Sequence, residues 1–275
     1  MTISTLDQLV AAFNSAQTFT INKASVSTQG AAGYSSLWRA TGTPGQGAIP
    51  AAAAQCDDTL LGAILSPMVN AGASAALYLA NLALSCANGS SVIEIHDRIC
   101  HMGGLSGTTA TVQNVNLDAS GAAAGRIPNL YADLMWWLEI YTDIGTGAQT
   151  ATIEYDSPNS GSPTLTTTVA IGGASPLNQD SRIFPVYGNP LYDSGQIKKI
   201  RRVTHATTGT AGSYGFTCTR RLASIPLLAA AFQRDMDWSA LGLPVVPNDA
   251  CLTMIELCGT TSTGIVLGNG KIITG

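Results

Sequence analysis

Leu134-Met-Trp-Trp-Leu-Glu-Ile-Tyr-Thr142 is the stretch on which the fold turns. It reads as a β-strand, in which neighbouring side chains face opposite ways, so Trp136 and Trp137 point apart and at least one enters a core. Gly145-Thr-Gly147 and a second strand, Ala151-Thr-Ile-Glu-Tyr155, follow closely, the pattern of a hairpin or a tight connection. Working outward, Val92-Ile-Glu-Ile-His-Asp-Arg-Ile99 alternates in the same way. Ala75–Leu84 alternates at Leu77/Leu79 and again at Leu82/Leu84, with a phase slip near Asn81 that signals a bulge. Thr164–Ile171 is rich in residues branched at Cβ.

Ile197–His205 and Tyr214–Arg221 flank Thr207–Ser213 as another hairpin candidate, and Cys251–Leu257 and Gly264–Leu267 close the chain. Leu227–Phe232 reads as one or two helical turns, ended by the Pro-rich Gly242–Asn248. Many short strands joined by Gly/Pro/Ser/Thr turns indicate an all-β chain, a β-sandwich compatible with jelly-roll topology. No repeat of fixed period is visible.

The N-terminal end differs. Leu6, Leu9, Val10 and Phe13 recur at helical spacing behind a Ser/Thr cap, with Asp7 in the first turn, so a short amphipathic helix is expected. At about ten residues it needs a surface to pack on, either its own body or a neighbour. Gly30–Gln55 is too rich in Gly, Pro and small residues for long regular structure, yet Tyr34, Leu37 and Trp38 suit an anchor rather than a free linker. The chain therefore divides into a helix and extended arm, residues 1–55, and a sandwich body, residues 56–275. On this division, removing residues 1–55 leaves a folded body that no longer assembles.

Composition narrows the function. Of 275 residues, 45% are hydrophobic and 11% charged, with 13 Lys+Arg against 17 Asp+Glu and a formal net charge of -4. An average globular chain carries about 25% charged residues. Disorder is excluded, and the net charge gives no overall attraction to nucleic acid or anionic lipid. A largely neutral surface favours self-association, which a protein built for an assembly tolerates. The uncharged run between Asp58 and Glu94 is broken by Gly62, Pro67, Asn70, Gly72 and Asn81, so no membrane span is expected. The start lacks a secretory leader pattern, and Cys56, Cys86, Cys100, Cys218, Cys251 and Cys258 are too scattered for a disulfide framework, which reads as free thiols in a cytoplasm.

Chemistry-bearing motifs are thin. In His96-x-x-x-Cys100-His101 a strand would put His96 and Cys100 on one face and His101 on the other, two ligands at most, so neither metal nor cofactor is expected. No G-x-S-x-G is present, and Gly268-Asn-Gly-Lys271 lacks the rest of a phosphate loop, so an enzyme is not the expected reading. The one charge cluster is Lys198, Lys199, Arg201 and Arg202 with Arg220 and Arg221, gathered if residues 197–221 form a hairpin. It would face an acidic partner; with only Tyr214 and Phe216 interleaved, base stacking has little support.

The arm Ser36-Leu-Trp-Arg-Ala-Thr-Gly-Thr-Pro-Gly-Gln-Gly-Ala-Ile-Pro50, followed by a Thr/Gly/Ala-rich sandwich, resembles virion structural proteins of tailed bacteriophages, with capsid decoration (cement) proteins the nearest kind. The resemblance implies a non-enzymatic, multicopy particle component, assembled in the host cytoplasm, a trimer being one option. Its partners would be its own copies and other virion proteins such as a major capsid protein. Leu6, Leu9, Val10 and Phe13 would dock the helix, and Tyr34, Leu37 and Trp38 would anchor the arm. The alternative is a tail or fibre module recognising host surface glycan, for which exposed aromatics such as Trp136 or Trp137 would be the mark.

Overall fold

The computed structural model describes residues 3–65, 67–121, 126–127, 131–159 and 165–275. In chain order its elements begin with α1 (Leu6–Asn14), β1 (Gln17–Lys23), β2 (Tyr34–Ser36), β3 (Gly42–Thr43), β4 (Ala54–Gln55) and β5 (Leu77–Cys86). β6 (Ser91–Ser106), β7 (Gln113–Asp118), β8 (Leu134–Thr142), β9 (Gln149–Asp156), β10 (Leu165–Ile171) and β11 (Ile183–Val186) follow. The last are β12 (Lys199–His205), β13 (Ser213–Leu227), β14 (Arg234–Met236), α2 (Trp238–Leu241), β15 (Val245–Val246), β16 (Leu252–Leu257) and β17 (Val266–Thr274). Thr164, expected to open the strand ending at Ile171, lies outside the described residues.

Strands pair antiparallel into three sheets. The central one runs β11-β8-β13-β6-β16-β2, with β4 also on β6. It curls until its edges approach: Ser35 bridges Arg182, and the Ser36 N–H donates to the Ser181 carbonyl at 2.8 Å. One flanking sheet runs β14-β5-β17-β1-β3, with β15 on β5, and the other runs β10-β9-β12-β7. The two long strands β6 and β13 serve both sandwiches. Ile93, Ile95, Ile225 and Leu227 pack with Phe19, Leu79, Leu82 and Ile272 in a first core. Ile99, Cys100, Phe216 and Cys218 pack with Val115, Ile153, Ile200 and Val203 in a second. Register breaks between Cys218 and Thr219 and between Arg221 and Ala223 separate the two halves, and bulges of this kind bend a strand and raise its twist. The all-β sandwich thus holds, with its middle layer curled.

The slip near Asn81 is a bulge: Lys271 pairs with Asn81 and Ile272 with Leu79, leaving Ala80 over. Leu79 and Leu82 consequently both enter the first core, while Ala80 turns outward beneath α1. The hairpin expected over residues 197–221 is corrected, and of the hairpin or tight connection expected after Thr142 it is the tight connection that forms. β8 and β9 lie in different sheets, as do β12 and β13, so each Gly-rich connection crosses between layers. Strand periodicity reports which face is buried but not which neighbour pairs, and a short polar connection serves either geometry. Leu227–Phe232 is corrected too. Leu227 ends β13 opposite Ser91, a turn follows, and the short helix comes later, as α2.

Residues 1–55 are built into these layers. β1 lies between β17 and β3, and its Phe19 and Ile21 belong to the first core. α1 is closed by a capping box in which Thr5 and Gln8 satisfy each other's backbone donors. Leu9 and Ala12 then seat it on Ala80 and Ile273 of its own body. Lys23 is buried, its ammonium donating to the carbonyls of Ala40 and Gly45, and burial lowers its pKa to about 8.

Candidate functional site

Curling gives the central sheet an enclosed inner face, and the polar members of its alternating strands line it. β6 contributes Glu94, His96 and Arg98, β8 contributes Trp137, Glu139 and Tyr141, and β13 contributes Thr217 and Thr219. Among these, Arg98 donates to Glu139 at 2.8 Å and to the Tyr141 hydroxyl at 3.1 Å. Tyr141 and Thr217 also donate to Glu139, at 3.1 and 2.5 Å. Burial opposes the Glu139 charge, but the Arg98 guanidinium and these donors outweigh it and hold the carboxyl below its usual range. His96 meets Glu94 at 3.0 Å and Thr219 at 2.9 Å, and Trp137 donates to that same hydroxyl at 2.9 Å. Desolvation lowers the His96 pKa despite Glu94, so the ring is neutral. The cavity amid this network, bounded by Ser36, Arg98, Trp137, Glu139 and Thr253, is about 10 Å³, space for one water and nothing larger.

A second buried cluster closes the end of this face. Trp38 lies over Arg98, its ring centre 4.5 Å from the guanidinium carbon, and stacks edge-on against His101. Its indole N–H donates to the Ala48 carbonyl at 2.9 Å. Gly47 and Gly62 press on the ring so closely that a Cβ at either would overlap it. Cys56 and Cys251 join the same apolar group. Burial opposes ionisation of Cys56, but hydrogen bonds with Cys251 and His101 and the Arg98 charge pull the thiol down to about 5. Beside it the buried Asp97 binds Arg126 at 2.5 Å.

This arrangement corrects the metal-spacing argument. A register break between Arg98 and Cys100 turns Cys100 into the second core beside Cys218, while His96 stays inside the curl with Glu94. The expected shared face of His96 and Cys100 is therefore lost. His101 meets Cys56 instead, which in turn bonds Cys251, a chain of contacts that no local spacing announces. Among the described residues no group of three or more His, Cys, Asp and Glu side chains is placed to hold a metal ion.

The basic cluster is not gathered either, because β12 and β13 are in different sheets. Lys199, Arg201 and Arg202 sit on β12, preceded by Lys198, and Arg220 and Arg221 sit on β13. Arg201 binds Asp156 and Arg202 binds Glu154, each at 2.6 Å, and Arg221 binds Glu94 at 2.9 Å. Arg220 is buried and donates to the Val245 carbonyl. Four of the six cations thus spend their charge or their donors inside the subunit.

The staked assembly residues divide. Leu9 is buried under α1 and Phe13 half-buried beside it, while Leu6 and Val10 point outward, 67% and 54% exposed. Leu37 and Trp38 are buried in the subunit's own cores, and Tyr34 packs on Trp137 with ring centres 5.2 Å apart. Both members of the Trp136-Trp137 pair are buried, the first donating to the Ile197 carbonyl at 2.8 Å. Sequence reasoning missed other outward apolar side chains: Leu191, Tyr187, Leu228 and Phe232, the last two beside Pro226 and Ala229 on an apolar groove of about 290 Å³. Their signal was faint, since turn chemistry surrounds each. Among the described residues no helix is long and apolar enough to cross a membrane.

No family model and no curated protein matches this chain. Two solved structures of infectious bursal disease virus, of the Gx strain and the Gt strain, are similar at 8% and 10% identity, with TM-scores of 0.20 and 0.19. The alignments cover 94% of this chain and 80% and 79% of those chains. At these scores the likeness to a virus-particle protein is weak.

Proposed function

We propose that this chain is a non-enzymatic structural subunit that associates with its own copies by burying neutral and apolar surface. Its place would be a virus particle of the tailed-phage kind, as a decoration protein that holds the shell through subunit contacts, a major capsid protein among its partners. The observation that carries this reading is what the surface presents. Leu6, Val10, Leu191, Leu228 and Phe232 face outward, whereas Arg201, Arg202 and Arg221 are held in ion pairs of the same subunit. Leu228 and Phe232 line an open apolar groove, a feature that on a soluble protein commonly marks an interaction site.

The buried polar groups support the same reading. Each of Glu94, His96, Arg98 and Glu139 has a partner inside the curled sheet, and the space beside them admits one water. Only Glu139 Oε1 among these four side chains lacks a partner within the described residues, and a network paired to this extent helps to rigidify a subunit and specify its core. The test is the native mass by light scattering, in reducing buffer, across a concentration series. A discrete oligomer or closed particle is expected; a strict monomer at every concentration contradicts the proposal.

A further inference from the structure

Edges decide how an all-β subunit meets its neighbours, because an unpaired strand presents a row of free N–H and C=O groups. Most edges here are blunted. β3 has two residues, and β14 has three, with Arg234 and Asp235 among them. β7 pairs with β12 through a register break, and Gln55 donates to the Asp118 carbonyl at its end. β11 carries Pro185, and its start meets β2 through the Ser35–Arg182 bridge. β10 is the exception among the described residues. It keeps an unbroken seven-residue register with β9 from Leu165↔Tyr155 to Ile171↔Gln149, and its other side has no strand partner. Its sequence, Leu-Thr-Thr-Thr-Val-Ala-Ile, holds no charge, no Pro and no Gly.

We propose that β10 is a self-association edge, on which two copies of this chain pair their β10 strands antiparallel about a two-fold axis at Thr168. The strand is close to a palindrome for that pairing. Leu165 would face Ile171, Thr166 would face Ala170, Thr167 would face Val169, and Thr168 would meet its own copy. Apolar ends thus oppose apolar ends and small polar residues oppose small ones, with no like-charge pair anywhere along the seam. The side chains already alternate suitably. Leu165 and Ile171 are buried in the second core, while Thr166, Thr168 and Ala170 face solvent. Pairing would join two four-stranded sheets into one continuous sheet and extend both second cores side by side. Such an interface is isologous, as a two-fold requires. A single strand pair buries far less than the roughly 1,200 Å² of a stable complex, so the contact is a weak one that gains strength only alongside others in an assembly.

This contact rests on the assembly reading, and the experiment separates the two. In the full chain, Thr168→Cys would bring two thiols together at the axis, where antiparallel Cα atoms lie about 4.5–5.5 Å apart, within disulfide reach. Copper-phenanthroline oxidation should then give a covalent dimer on a non-reducing gel. Thr18→Cys, at an exposed position of β1, should not, and the six native thiols are buried. Thr168→Lys, with folding checked by circular dichroism, should weaken self-association several-fold in sedimentation velocity. Oligomers that persist unchanged in Thr168→Lys, with no cross-link at Thr168→Cys, overturn the edge and leave assembly standing. A wild-type monomer at every concentration, with no cross-link, overturns both. If Thr168→Lys does not fold, the cross-link alone decides.

Discussion

Glu256→Gln should make the protein progressively more stable than wild type as pH rises from about 5 to 8 and change little at pH 5 and below. The Glu256 side chain, on β16, is fully buried between the central sheet and the β5–β17 layer, and among the described residues no well-formed hydrogen bond reaches either carboxylate oxygen. The Ser91 hydroxyl beside it favours the charged form only weakly, Cys86 and Cys258 lie near, and among the described residues no cation reaches it. Burial therefore disfavours the charged form and raises the pKa from 4.5 to about 8. Below pH 4.5 the group is protonated in both folded and unfolded chains and contributes no difference. As pH rises from there to 8, the unfolded chain sheds the proton that the folded chain retains, so stability falls, and the loss is complete above pH 8. A separation of that size corresponds to a linkage on the order of 5 kcal/mol, a third or more of the total stability of an ordinary domain. The variant has no such proton to lose. Urea titrations followed by circular dichroism at pH 5, 7 and 9 should therefore show curves within about 1 kcal/mol at pH 5 and a variant several kcal/mol more stable at pH 9. A variant no more stable than wild type at pH 9 would refute the reasoning, since it would mean the carboxylate is solvated or paired when charged.

Other expectations follow from the same packing. Trp38→Ala should destabilise by about 3–5 kcal/mol in urea unfolding, because it opens a cavity and strips the cover from Arg98; a loss below 1 kcal/mol would make the arm peripheral. Deleting residues 1–33 should yield an unfolded or aggregated chain by circular dichroism, since β1 leaves the gap between β17 and β3. Glu139→Gln should cost about 3–5 kcal/mol by leaving the Arg98 charge buried without its counter-ion, and in wild type this contribution should fade as pH drops towards and below the ordinary carboxylate range, the folded pKa lying beneath the unfolded one. Phe232→Ser with Leu228→Ser should leave the unfolding midpoint nearly unchanged, both side chains being mostly exposed, yet reduce self-association by light scattering.

Strands were legible because their signal is local. Leu134–Thr142 and the β5 bulge need only alternation and its interruption, and the structure places both where the pattern does. Pairing was not legible, since the connections after Thr142 and His205 look the same whether they turn within a layer or cross between layers. The inner face was concealed by a different ambiguity. Alternation along Val92–Ile99 assigns Ile93 and Ile95 to a core and Glu94, His96 and Arg98 to the opposite side, which in an open sandwich would be solvent. Curling encloses that side as well. A usable clue sat on β8, where Trp137 and Tyr141 share a face with Glu139, since large aromatics with a polar tip flanking a carboxylate suit an enclosed polar layer better than water. The arm was half legible. Its anchors Leu37 and Trp38 were recognisable from composition, but that Trp38 fastens the arm to its own subunit depends on Arg98, distant in sequence.

The central claim is that copies of this chain associate through neutral, apolar surface rather than through charge. Sedimentation velocity of the wild-type protein at low and at high salt tests it directly. Salt screens exposed charge pairs but leaves apolar burial intact or strengthens it. The account predicts an oligomer that survives, or grows, at high salt. An oligomer that dissociates as salt rises, or a monomer under both conditions, would contradict it.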